Sequence, residues 1–298
     1  MPGTLLTGAT GFVGRRLAGT LAPTAEGRLR LLIRDPSRLP TGLVPPASVI
    51  TGDLLDRSVL ERAVAFTDTI VHLAALTGKA SRAAMRRANL EGTRRLLEAA
   101  RQAGTARFLF VSSIAAGFHD RRWYHYADSK QEAEQAVRES GLDWVIVRPT
   151  MVFGPGSPVQ ASLTRLASAP VGVMFGRGDV QVQPIHVSDL VSLLVALLAR
   201  PSLGREVVEA GGPQVISLGD LLRRIRSRTR GRPGPFFRLP LKPIREVLGL
   251  LDRPFWRFLP FTAGQLASFA NAGVAAQLPG DLPAPRHQID DMLAGAEA

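Results

Sequence analysis

The segment Tyr126-Ala127-Asp128-Ser129-Lys130 sets a phenol and an ammonium four residues apart. On a helix that spacing brings both side chains to one face. A lysine charge beside a phenol draws its pKa down from about 10 toward working pH, so the phenol can exchange a proton with a hydroxyl or carbonyl. The chain holds 2 tyrosines, and its lysines are Lys79, Lys130 and Lys242, so both partners are scarce. Tyr124 has Asp128 at the same offset and makes no such pair. The bland alternative is an ordinary helix-face pair.

A second constellation is Thr7-Gly8-Ala9-Thr10-Gly11-Phe12-Val13-Gly14, directly after the apolar run Thr4–Thr7 and at the opening of a helical pattern. Glycine suits such a place because the backbone must turn tightly, approach a pyrophosphate closely and pack helix on sheet. Gly8, Thr10, Gly11, Phe12, Val13 and Gly14 are therefore candidate dinucleotide-binding residues. At the end of the next apolar run stand Arg34, Asp35 and Arg38. Arginine pairs with the 2′-phosphate of NADP, whereas a carboxylate accepts the 2′-hydroxyl of NAD. Arg34 and Arg38 favour NADP over NAD, and Asp35, if it faces the ribose, reverses that choice.

The elements needed to position these groups are legible as alternating short apolar runs and longer amphipathic stretches, the pattern of βα units around a parallel sheet. Strands are expected near Thr4–Thr7, Leu29–Ile33, Ser48–Thr51, Thr69–Leu73, Phe108–Ser112 and Trp144–Val147. Helices are expected over Phe12–Leu21, Ser58–Ala65, Ser81–Gln102 and Tyr126–Glu139. After Arg148-Pro149, the Gly154-Pro155-Gly156-Ser157-Pro158 loop ends the alternation. Beyond it the pattern predicts a helix over Ser188–Ala199, a strand over Glu206–Ala210 and a helix opening at Ser217, with Asp220 at its capping-box position. From about Arg230 the chain is rich in Pro, Phe and Arg and lacks strand alternation. The expected fold class is α/β: a Rossmann-type, doubly wound parallel sheet with a smaller C-terminal substrate-binding region. Residues 1–153 form the nucleotide domain, with a return of about 182–212, and 154–298 form mainly the substrate side.

The run T-G-x-x-G-x-x-G resembles the glycine motif of the extended and atypical short-chain dehydrogenase/reductases, the group that includes NAD-dependent epimerases and dehydratases. Further matches follow in order: Gly52-Asp53-Leu54, His72-Leu73-Ala74-Ala75, Asn89 with Gly92 and Thr93, and Arg148-Pro149-Thr150-Met151-Val152-Phe153-Gly154-Pro155. The resemblance adds Asp53, Leu54, Leu73, Ala74, Ala75 and Pro149 to the cofactor contacts, together with Tyr126 and Lys130. It implies an oxidoreductase or epimerase in which Tyr126 exchanges the proton and Lys130 tunes it and orients the nicotinamide ribose. It also places an active-site serine at the end of the fifth strand, with Ser113 the better match and Ser112 the fallback. A looser likeness joins Leu239-Pro240-Leu241-Lys242-Pro243 and Phe261-Thr262-Ala263-Gly264-Gln265-Leu266 to the accessory-subunit branch of respiratory complex I, which implies nucleotide binding without turnover as the alternative function.

Composition narrows the rest. The chain has no cysteine, which excludes disulfides, thiolate metal sites and cysteine nucleophiles. No run reaches the roughly 18 to 20 apolar residues of a spanning helix, and no secretory signal opens the chain, so a cytoplasmic location is expected. The formal charge of +12 is nearly all arginine and reads first as a solvated basic surface. The arginines at 223, 224, 226, 228, 230 and 232 come with no nucleic-acid motif, and no nucleic-acid partner is expected. Arg253–Phe261 interleaves aromatics with arginines; a cover over the substrate pocket is the preferred reading, and peripheral membrane contact the lesser one. His186 reads as structural, His119 and His125 as loop residues, and no spacing suggests zinc. The expected partner is a small-molecule substrate, either a sugar nucleotide or a lipid-like alcohol, with Arg165, Val171, Met174, Phe175 and Arg177 on its side; the oligomeric state stays open, a homodimer included.

Overall fold

The computed structural model describes residues 3–25, 28–45, 48–255 and 262–294. Seven parallel strands form the central sheet: β1 (Thr4–Thr7), β2 (Leu29–Ile33), β3 (Val49–Thr51), β4 (Thr69–His72), β5 (Arg107–Val111), β6 (Asp143–Pro149) and β11 (Glu206–Ala210). Their spatial order is β11-β6-β5-β4-β1-β2-β3. The order reverses at β1, and in such sheets the ligand crevice lies outside the carboxyl ends of the strands at this switch point.

Near-continuous apolar strands follow from burial on both faces. Because side chains alternate, each strand feeds two cores. Leu6, Leu31, Ile33, Val71, Leu109, Val145 and Val147 pack with α1 (Phe12–Leu21) and α7 (Val187–Ala199). Leu5, Leu32, Ile70, Phe108, Phe110, Trp144 and Ile146 pack on the other side with α2 (Arg57–Val64), α4 (Gly92–Gln102) and α5 (His125–Arg138). The sheet is thus doubly wound, and its strands and helices fall within a residue or two of the sequence expectation.

The long helix expected over Ser81–Gln102 is divided. A four-residue α3 (Arg82–Met85) leads into a π-helical stretch, Arg86–Glu91, before α4 begins. Asn89 lies in that stretch and is buried, with its amide bonded to both backbone groups of Leu76. A wider turn of this kind leaves the apolar period nearly intact, which is why the pattern shows one helix.

Past Pro149 the chain builds a smaller third core from Phe153, Leu163, Met174, Phe175, Leu221, Leu222, Leu266 and Met292. It gathers α6 (Pro158–Ala167), α8 (Leu218–Arg230), α10 (Ile289–Ala294) and paired short strands: β7 (Val152–Phe153) with β10 (Ile185–His186), β8 (Gly172–Phe175) with β13 (Phe236–Leu239), and β9 (Gln181–Val182) with β12 (Ile216–Ser217). Ser217 caps α8 by accepting from the Asp220 amide at 3.0 Å, as its position predicts. The region after Arg230, which shows no strand alternation in the sequence, holds β13 and a fifteen-residue helix, α9 (Leu241–Phe255). Pro243 is tolerated there because the first helical turn needs no amide donor; β13 exists through its pairing with β8, which no local alternation announces. Arg253–Phe261 falls outside the residues whose side chains are described. Among the described residues, no helix is long and apolar enough to cross a membrane.

Candidate active site

At the switch point a cavity of about 880 Å³ opens between the glycine turn and the ends of β2, β3 and β4. Gly8 has φ +79°, and a Cβ there would lie 2.6 Å from the Ala74 amide nitrogen; a Cβ on Gly14 would lie 2.1 Å from the Gly8 carbonyl oxygen. Glycine is therefore obligatory for the turn to pack β1, β4 and α1 this closely. α1 starts at Gly11 with no side-chain cap and no acidic residue in its first turn, so its amide groups and dipole are left to an anion. Gly8, Thr10, Gly11, Phe12, Arg34, Arg38, Asp53, Leu54, Leu73, Ala74 and Ala75 all line the cavity. A phosphate-receptive helix end at one place and two guanidinium groups at another fit a dinucleotide.

Five expected contacts sit off that wall. Val13 packs into the α1 core, Gly14 serves the turn itself, Pro149 is buried where β6 pairs with Ala210 of β11, Tyr126 lines a separate cavity, and Lys130 is buried. Others on the wall are not among the expected cofactor contacts: Arg15 and Arg16 of α1, Pro155, which ends the Arg148–Pro155 motif, and Gly156. Arg16 lies 4.7 Å from the Phe12 ring centre and donates to the Pro155 carbonyl at 2.6 Å, tying α1 to the loop at 154–158. Sequence spacing gives no sign of a contact spanning so much chain.

Beneath the cleft lies a chain of buried polar groups. The Thr7 hydroxyl donates to His72 Nδ1 (2.6 Å), His72 Nε2 donates to Thr93 Oγ1 (2.9 Å), and Thr93 donates to the Asn89 carbonyl (2.6 Å). Thr93 has spent its hydrogen on Asn89, which assigns the His72 proton to Nε2. Burial, with Lys130 nearby, pushes His72 down to about 3, so the ring is neutral. Asn89 Nδ2 also donates to Ser129 Oγ (2.9 Å), and Ser129 donates to the Tyr126 carbonyl (2.7 Å), linking the π-helical stretch to α5.

A second cavity, of about 440 Å³, is lined by Tyr126 together with Ala83, Met85, Trp123, Tyr124 and Gln265. Thr77 lines the first cavity and Gly78 the second, so the two adjoin along this loop. The Ser113 side chain lies near the Tyr126 phenol and favours its ionised form. Burial, with Tyr124 beside it, pushes Tyr126 above its ordinary value, and Ser113 only partly offsets this. Lys130 is 2% exposed and donates to the Val111 carbonyl at 2.7 Å, its ammonium 4.1 Å from the Phe110 ring centre. Burial lowers it to about 7, with Glu134 pulling it back up. The expected lowering of the phenol by the lysine is not found: burial and Tyr124 set its shift upward, Lys130 is not among its causes, and Tyr126 holds its proton. Ser112 is not free for substrate: its hydroxyl donates to Glu134 Oε1 at 2.6 Å.

The family model described as NAD(P)H-binding matches residues 8–182, which includes the glycine turn, the cleft and α5. This chain belongs to the NAD(P)H-binding family. A ceramide reductase of Caulobacter vibrioides (strain NA1000 / CB15N) is 38% identical over 200 residues, covering 67% of this chain and 62% of that protein. A UDP-glucose 4-epimerase of Vibrio cholerae is 28% identical over 246 residues, covering 74% of each. The chain spans 62% of the length of that reductase and 28% of the length of a Mycobacterium bovis relative. Among solved structures, MoeE5 in complex with UDP-glucuronic acid and NAD shares the fold at a TM-score of 0.74 and 23% identity, over 98% of this chain and 97% of that one. In this NAD(P)H-binding protein, the cofactor fold and the cleft coincide.

The smaller cavity is not lined by the residues expected for the substrate side. Met174 and Phe175 are core residues, and Arg165, Val171 and Arg177 are exposed elsewhere. The walls come instead from the loop at 78–85, the segment at 123–128, α9 and the segment at 262–265. Trp123 has a left-handed backbone (φ +67°), and a Cβ on Gly249 would lie 2.4 Å from its indole, so α9 packs directly on it. His125 lines the cavity, while His119 is exposed. His186 caps α7 and stacks on His287 at 4.1 Å between ring centres.

Proposed function

We propose that the protein is an NADP-preferring reductase that acts on a carbonyl group of a lipid-like substrate. The observation that carries this reading is the placement of the Tyr126 phenol at the wall of the smaller cavity, where that cavity adjoins the cleft at Thr77 and Gly78. When bound, the reduced nicotinamide supplies the hydride. Tyr126 gives its proton to the substrate oxygen, Ser113 holds that oxygen, and Lys130, one helical turn on, provides positive charge against the phenolate left behind. A phenol that keeps its proton at rest is set for reduction.

NADP preference is supported by Arg34 and Arg38 on the cleft wall. Asp35 is engaged elsewhere: its carboxylate accepts from the Ser37 amide at 3.0 Å and the Ser37 hydroxyl at 2.6 Å. The lipid-like class is supported by Ala80, Ala83, Met85, Trp123 and Tyr124 in the cavity, and by the likeness to a ceramide reductase. A sugar nucleotide would bring a diphosphate, which calls for several cationic donors. Arg82 lines the cavity, whereas Arg121 is bonded to the Ala116 and Phe118 carbonyls and paired with Asp128. The test is oxidation of NADPH in the presence of long-chain β-keto amides, beside conversion of UDP-glucose, which offers a hydroxyl and no free carbonyl, to its epimer or to an oxidised sugar with NADP. Turnover of the keto amides alone is expected. Turnover of UDP-glucose alone would overturn the substrate class, and NADPH binding with no turnover of any carbonyl would favour the accessory-subunit alternative.

A further inference from the structure

Tyr126, Lys130 and Glu134 form one stripe along α5, at successive four-residue steps. Three consecutive residues at the end of β5 meet that stripe. The Val111 carbonyl accepts from Lys130 Nζ at 2.7 Å, the Ser112 hydroxyl donates to Glu134 Oε1 at 2.6 Å, and the Ser113 side chain lies near the Tyr126 phenol. Glu134 is 0% exposed, a place where a carboxylate is rarely left without a specific partner. Its partners are Arg148 of β6, whose Nε reaches Oε1 at 2.9 Å and Nη2 reaches Oε2 at 2.7 Å, and Arg138, whose Nη2 reaches Oε2 at 3.1 Å. Arg148 lies also 3.4 Å from Glu209 Oε1.

We propose that Glu134 is a positioning residue for the reaction: its buried carboxylate, clamped by Ser112 and Arg148, fixes α5 in register on β5 and supplies the counter-charge behind Lys130. This rests on the assignment of Tyr126 and Lys130 above. The groups around Lys130 support it. His72 on β4 is neutral, the Phe110 ring and Val111 carbonyl of β5 carry no net charge, and Tyr126 holds its proton. Among the described residues, Glu134 is the anion that acts on Lys130. Arg148 and Ser112 keep Glu134 ionised against the cost of its burial. Charge and register are then set by the same side chain.

The chain's three lysines make the test direct, because ¹³C-labelled lysine gives few side-chain signals to follow through a pH titration. Glu134→Gln preserves shape and removes the charge, leaving Arg148 with Glu209 as its remaining carboxylate partner. The Lys130 midpoint is expected to fall by about one pH unit or more, the ordinary scale for losing a nearby opposite charge. Removing the Arg148 charge as well, in Glu134→Gln/Arg148→Met, should restore at least half of that shift, and Glu134→Asp should keep most of the wild-type midpoint. NADPH-dependent turnover of the β-keto amide should fall about tenfold in Glu134→Gln and recover in part in Glu134→Asp. Should Glu134→Gln fail to fold, the Glu134→Asp and double variants carry the comparison. An unmoved Lys130 midpoint in a folded charge-removing variant, or equal shifts in Glu134→Asp and Glu134→Gln, overturns the proposal. Failure of the underlying assignment is separately visible as full turnover in Tyr126→Phe.

Discussion

Lys130 is buried with an ammonium whose pKa falls from 10.5 to about 7, because desolvation penalises the charged form more than Glu134 restores it. In the unfolded chain the lysine keeps its ordinary value, so between pH 7 and 10.5 the unfolded state binds the extra proton. Stability therefore rises with pH across that window, and the full burial cost is felt at and below pH 7. Lys130→Met removes this cost at the loss of one hydrogen bond to Val111, worth about 1 kcal/mol. Its Tm should exceed the wild type's by at least about 3 °C at pH 7, with the gain shrinking toward pH 10.5, while turnover collapses. Thermal melts across that range check both; a Tm gain independent of pH would mean the lysine is not neutralised by burial. At the cleft's other end, Arg34→Asp replaces a phosphate partner with a repelling charge. NADPH affinity should drop at least tenfold and NADH affinity little, as read by fluorescence titration, and equal losses would remove Arg34 from the ribose site.

α9 was not legible as an element, yet it bounds the smaller cavity through Gly249, where contact with the Trp123 indole leaves no room for a Cβ. Gly249→Val must push helix and indole apart, a clash of the kind that costs about 1–3 kcal/mol. KM for the carbonyl substrate should rise at least fivefold with NADPH affinity unchanged, and steady-state kinetics beside a cofactor titration separate the two. An unchanged KM would place α9 away from the substrate. The contrast with the first six strands is physical. Those strands are read from their own runs because burial on two faces demands continuous apolar residues, and α1, α2 and α5 from the apolar stripe each lays on one face. β13 depends on pairing with a distant strand, and the π-helical stretch at Arg86–Glu91 changes hydrogen bonding while hardly changing which residues are apolar. Glu134 had a readable signal in its spacing, four residues past Lys130, but its partner Arg148 comes from another strand.

On the scale of the molecule, two cavities share one boundary: the cleft at the switch point of the sheet and the smaller cavity under α9, with α5 presenting Tyr126 at the second. The doubly wound sheet sets the first, and family membership agrees with it. The third core, built from residues after Pro149, holds the elements that close the second. Glycine turn, arginines and the Tyr-Lys pair were all legible in the sequence because each is a local pattern. The walls of the smaller cavity were not, because they converge from four separated segments. The claim that unites both cavities is that Tyr126 is the proton donor of an NADPH-dependent reduction. Its most direct test is Tyr126→Phe, comparing turnover of the β-keto amide with NADPH affinity in the same preparation. Turnover lower by at least about a hundredfold, with affinity within about twofold of wild type, is the predicted result; turnover equal to wild type would contradict it.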